Sequence, residues 1–142
     1  MELNLKHISN PEILFIKRSD FNARTVKNDL EILTTKYFVD ILDTKVTISG
    51  LISQFLTLLI WGWYYGIYYI WFADYHSFLP AVFAKIYGKK LVVCLGGYDI
   101  EEVHTSKNIR QRIRKFCVNY TLKKSDKLFP VSNYLKNEIK LK

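Results

Sequence analysis

The sequence predicts an α/β fold: a doubly wound, mostly parallel, Rossmann-like sheet with helices on both faces. Three observations predict it. Short apolar runs rich in β-branched and aromatic residues alternate with amphipathic segments along the chain. The amphipathic segments carry their apolar residues at spacings of three and four, the period of a helix with one buried face. Alternation of this kind places parallel strands under crossover helices.

Each element follows from its residues. Glu12-Ile13-Leu14-Phe15-Ile16-Lys17, after Pro11, is a compact strand. Ala23, Val26, Leu30, Leu33 and Tyr37 mark a helix, and Phe38 to Leu42 a second strand. A helix from Leu51 is expected to end near Gly62 or Gly66, and Tyr68 to Phe72 reads as a strand buried on both faces. Phe78 to Tyr87 is a helix with Pro80 in its first turn and Gly88 just past its end. Lys90 to Leu95 is a fourth strand, closed by Gly96 and Gly97. Ile109, Ile113, Phe116, Cys117 and Tyr120 form a helical stripe, and Lys127 to Val131 a fifth strand. Ser132 is expected to cap a last helix from Tyr134 to Lys142 that carries no stop signal.

Composition bounds the class. The chain has 142 residues, room for one domain, here 12–142 after a short extension, 1–11. It is 49% hydrophobic, enough for a packed core, which excludes a disordered chain. Cys94 and Cys117 form no framework and no zinc pattern; both read as small core residues in a reduced, cytoplasmic compartment. Met1 to Lys6 lacks the apolar core of a secretory signal. The net charge of +8 favours anionic partners, an acidic membrane surface among them. The element order fits no nucleic-acid module, so no nucleic acid is expected.

One segment raises the question of a membrane. No residue from Val46 to Ala73 is charged, and a run of roughly 20 apolar residues can cross a bilayer. As a single helix, Leu51 to Phe72 would place Tyr64, Tyr65, Tyr68, Tyr69, Trp61, Trp63 and Trp71 through one half of the span. Such residues normally gather at the interfaces. A buried helix followed by a buried strand fits better; a helix lying on the membrane surface stands between the two.

Ligands of open α/β sheets bind beyond the carboxyl ends of the strands. Those ends supply the candidates. Lys17 and Arg18, after the first strand, could hold an anionic group. Asp74 and His76 follow the third; an imidazole beside a carboxylate suits a general base, and a capping pair is the plainer alternative. Gly96 and Gly97 follow the fourth and permit a close backbone approach, while Asp99 could accept hydrogen bonds from sugar hydroxyls. His7 and His104 sit among polar residues and carry no signal. Arg110, Arg112, Arg114, Lys115, Lys123, Lys124 and Lys127 make a basic band, either a solvated face or a contact for anionic lipid. No GxGxxG follows the first strand and no GxxxxGK[ST] occurs, which removes the main support for dinucleotide binding and P-loop hydrolysis.

Two stretches carry a resemblance. Tyr69-Ile70-Trp71-Phe72-Ala73-Asp74, the helix ending Phe83-Ala84-Lys85-Ile86-Tyr87-Gly88-Lys89-Lys90, and Leu91 to Asp99 form the first; Lys124 to Leu135 forms the second. Together they resemble the amino-terminal, acceptor-side domain of family 4 GT-B glycosyltransferases. The resemblance implies half of a two-domain enzyme that moves a sugar from a nucleotide-sugar to a lipid-linked or glycan acceptor, without a metal. It places the acceptor on this half and the nucleotide-sugar on a carboxy-terminal donor half absent from these 142 residues, so that the donor half is expected from further chain or a separate subunit, or the chain is a decayed remnant. No cofactor is then expected on this chain, and no turnover by it alone. The implied acceptor-side residues are Lys17, Arg18, Asp74, Gly96, Gly97 and Asp99, with His76 for acid–base work. Gly96-Gly97 stands where the family often has His-Gly, so that histidine's role is not carried over. A small non-catalytic membrane protein with 51–72 in the bilayer, and a plain nucleotide-binding module, are the competing expectations.

Overall fold

The computed structural model describes residues 12–96 and 108–131. In chain order the elements are β1 (Ile13–Arg18), α1 (Arg24–Thr34), β2 (Val39–Thr44), α2 (Ile48–Trp61), a 3-10 turn at Gly62–Tyr64, β3 (Ile67–Trp71), α3 (Tyr75–Ile86), β4 (Lys90–Leu95), α4 (Ile109–Lys124) and β5 (Lys127–Pro130). The strands form one five-stranded sheet in the order β2-β1-β3-β4-β5. Every pairing is parallel, with Phe15 opposite Ile41 on one side and Tyr69 on the other. The fold is therefore the doubly wound α/β sheet that the alternation predicts.

Two clusters bury the two faces. Leu14, Ile16, Tyr68, Ile70, Leu91, Val93 and Leu95 point one way, against Leu58 of α2, Ala81 and Ala84 of α3, and Val118 of α4. Phe15, Trp71 and Cys94 point the other way, with Val26 of α1. Alternate strand residues thus serve opposite layers, as the pleat requires. The chain leaves β1 toward β2, then returns past β1 to β3, so the winding reverses between β1 and β3. In open α/β sheets the carboxyl edge at such a switch point is the usual place for a ligand.

Residues 51–72 are not one span. α2 stops at Trp61, and Ile67 to Trp71 is a strand between β1 and β4. Gly62 permits that stop: a Cβ there would lie 2.4 Å from the Tyr68 hydroxyl and 3.1 Å from the Tyr87 ring. Among the described residues no helix is long and apolar enough to cross a membrane.

α3 begins three residues earlier than its apolar spacing suggests. Asp74 is its N-cap: the carboxylate accepts from the Tyr75 amide at 2.8 Å, and the Ser77 hydroxyl accepts from the Asp74 amide at 3.1 Å. Pro80 consequently lies inside the helix rather than in its first turn. Proline has no N–H, so the His76 carbonyl loses its helical donor. Gln54 of α2 replaces it, donating from Nε2 to that carbonyl at 2.8 Å and to the Thr44 hydroxyl at 2.9 Å. A buried glutamine in an apolar helix thus repairs a proline in its neighbour. The expected helix from Tyr134 to Lys142 lies outside the described residues.

Candidate functional site

The carboxyl edge at the switch point is organised around Asp74. Its side chain is 7% exposed and receives two arginines from different elements. Arg18, the last residue of β1, donates from Nη1 to Oδ2 at 2.6 Å. Arg114, on α4, donates from Nε to Oδ1 at 3.0 Å. One carboxylate therefore ties β1, the start of α3 and α4 together. The Ser77 hydroxyl, 2.9 Å from the Thr121 hydroxyl, adds a second link from α3 to α4.

Arg18 is the member of this cluster that meets solvent, with its side chain one-third exposed at 33%. Its other edge, Nε and Nη2, donates to both oxygens of Asp20, which is itself 65% exposed. The hydrogen bond to Arg18 holds the Asp20 carboxyl below its ordinary range, and the same bond raises Arg18. This is a forked guanidinium with one edge anchored inside and the other occupied by a surface carboxylate. Such a fork matches a phosphate or carboxylate bidentately.

Lys17 goes elsewhere. Its ammonium lies 2.7 Å from Asp43 and 3.4 Å from the Asn22 side-chain oxygen. Neighbouring strand residues point to opposite faces, so Lys17 and Arg18 share no partner and do not form the joint cationic site that their adjacency suggests.

His76 is fully buried. Its Nε2 lies 3.2 Å from the Trp71 carbonyl, which accepts and so assigns the proton to that nitrogen. Nδ1 has no protein partner. Burial pushes the imidazole down to about 4, the nearby Asp74 opposing that shift. The neutral ring braces the turn between β3 and α3.

Gly96 also serves the interior. A Cβ there would fall 1.6 Å from the Phe72 ring. Phe72 has a left-handed backbone, φ 62°, and its ring packs edge-on against Phe21 and Trp71. The close approach that Gly96 permits is made by this ring. Gly97 and Asp99 lie outside the described residues.

This edge therefore unites Arg18 and Asp74 and leaves Lys17 apart. Arg114, Asp20 and Gln54 were not singled out by sequence. Arg114 is hidden in a basic run, and only its i, i+3, i+4 relation to the buried Cys117 and Val118 distinguishes it from its solvated neighbours. Among the described residues no His, Cys, Asp and Glu cluster could hold a metal ion. In comparisons with known proteins, no family model and no curated sequence matches this chain.

Proposed function

We propose that this chain is the acceptor-binding half of a glycosyltransferase, presenting a lipid-linked or glycan acceptor to a nucleotide-sugar bound on a second Rossmann-like half. The observation that carries the proposal is the Arg18 fork at the point where the winding reverses. One edge is fixed by Asp74, which α4 holds through Arg114, and the other faces Asp20 at the surface. A phosphate of a lipid-linked acceptor would displace Asp20 and take the exposed edge, while Asp74 keeps the guanidinium oriented. Glycan hydroxyls would then be held by the neighbouring polar loops. The resemblance of Tyr69 to Asp99 and Lys124 to Leu135 to the GT-B acceptor domain supports the same assignment. Transfer itself requires the donor half, and the chain alone is expected to turn over no nucleotide-sugar.

Calorimetric titration with a short-chain isoprenoid-phosphate-linked sugar tests this. Binding is expected, weakened roughly tenfold or more by Arg18→Gln and tightened several-fold by Asp20→Asn, because a charge-assisted bidentate pair is lost in one and a competitor removed in the other. Absence of binding, or binding indifferent to both substitutions, refutes the proposal.

A further inference from the structure

α2 turns an apolar ridge toward water, with Ser49 and Ser53 exposed beside it. Its inner face buries Gln54 beside Leu58, both at 1% exposure or less. Its outer face carries Ile48, Ile52, Leu56 and Ile60 at 81%, 55%, 49% and 56% exposure. These recur every four residues and so form one ridge along the helix. At the carboxyl end the ridge runs into exposed Trp61, Trp63 and Tyr64. No charged side chain interrupts it, since none occurs from Val46 to Ala73. A surface helix ordinarily turns its polar residues to water. Contiguous apolar surface of this kind marks a docking face.

We infer that α2 seats the chain on an anionic lipid surface, lying in the plane of the bilayer with the Ile52–Leu56–Ile60 ridge among the upper acyl chains. Two features of the ridge select lipid. Its tip carries Trp and Tyr, the side chains that settle at headgroup level. It has no charged rim of its own, in contrast to the polar rims of protein interfaces, while the same layer presents cations further along. α2, α3 and α4 pack side by side on one face of the sheet, and α4 exposes Arg110, Arg112, Lys123 and Lys124. Apolar insertion by α2 and attraction of these cations to acidic headgroups act together. A 14-residue helix lies on such a surface without crossing it. The inference stands whether or not the chain handles sugars.

Flotation of the full chain with vesicles tests it, comparing phosphatidylcholine alone with equal parts phosphatidylcholine and phosphatidylglycerol. Preferential flotation with the anionic vesicles is expected. Quenching of tryptophan emission by brominated acyl chains should accompany it, reporting Trp61 and Trp63 at the lipid. The combined Ile52→Ser, Leu56→Ser, Ile60→Ser variant should keep its fold by circular dichroism and lose partitioning on the order of a hundredfold. Partitioning that survives this variant, or no flotation with either vesicle, overturns the inference. So does a lipid-free dimer that the same variant dissociates, which would assign the ridge to a second copy.

Discussion

The carboxyl edge between β1 and β3 and the outer face of α2 break the ordinary rule of burial in opposite directions. At the edge, Asp74 and Arg114 are largely taken out of water, and Asp74 is satisfied by two arginines and the Tyr75 amide. On α2, apolar groups are left in water beside a buried amide. The edge holds the fold together, so its charges answer to internal partners before any ligand. The ridge contributes little to the fold, because the side of α2 that matters for packing is Gln54 and Leu58. Substitutions at the two regions should therefore separate stability from surface chemistry, and the cleanest contrasts come from residues close in sequence.

Asp74→Ala should have the largest effect. It strands Arg18 and Arg114 without their shared carboxylate and removes the α3 cap. Breaking a largely buried ion cluster from one side leaves uncompensated charge, and a loss of about 4 kcal/mol is expected in urea denaturation. Asp20→Asn, which touches the exposed edge of the same guanidinium, should change stability by only a few tenths of a kcal/mol. Equal losses at the two positions would mean that Asp74 is no better buried in solution than Asp20.

The ring of His76 tests the same edge by pH. Its folded value lies near 4, below the ordinary 6.5, because burial disfavours the cation. Between those values the unfolded chain binds the proton and the folded chain does not. Stability is therefore full above pH 6.5 and falls as pH drops toward about 4, by roughly 3 kcal/mol for this one group. The carboxyl of Asp20, held low by Arg18, adds a further loss in the same direction only below its ordinary range. His76→Gln keeps a donor for the Trp71 carbonyl and should flatten the profile between pH 6.5 and 4. An unchanged slope would place the titration elsewhere.

Gly96→Ala should cost about 2 kcal/mol, since its Cβ meets the Phe72 ring and overpacking forces that ring from its place. In a Phe72→Ala background the penalty should largely vanish, a non-additivity diagnostic of direct contact. Full additivity would remove Phe72 as the reason for the glycine.

These contrasts also show what the sequence carries. The strands were legible to within a residue or two, because Ile13 to Ile16 and Leu91 to Leu95 are short apolar runs that include β-branched residues and serve both faces. The start of α3 was misplaced, because Asp74 and Ser77 act through hydrogen bonds that apolar spacing does not register. Gln54 could not be assigned a role without knowing that Pro80, far along the chain, leaves a carbonyl to satisfy. Arg18 and Asp74 were visible as residues at strand ends, yet their pairing joins positions 56 apart and depends on the return of β3 beside β1. Arg114 depends on which side of α4 faces α3. Local pattern reports what each segment buries; it does not report which polar groups meet once the sheet is wound.

The last contrast lies within α2, and it carries the comparison furthest. Leu58 and Leu56 are two residues apart on one helix, at 0% and 49% exposure. Leu58→Ala should lose about 3 kcal/mol, because it opens a cavity among Ile16, Tyr68 and Phe83 that the strands cannot collapse to fill. Leu56→Ser should change the unfolding free energy by no more than about 0.5 kcal/mol, since the side chain it removes packs against little. A loss at Leu56 comparable to that at Leu58 would show that the outer face is covered in the isolated chain, and the ridge would then belong to the fold. A neutral Leu56→Ser leaves the outer apolar face without a role in stability. An apolar side chain that contributes nothing to the fold and lies in a charge-free ridge ending in tryptophan has its chemistry directed outward.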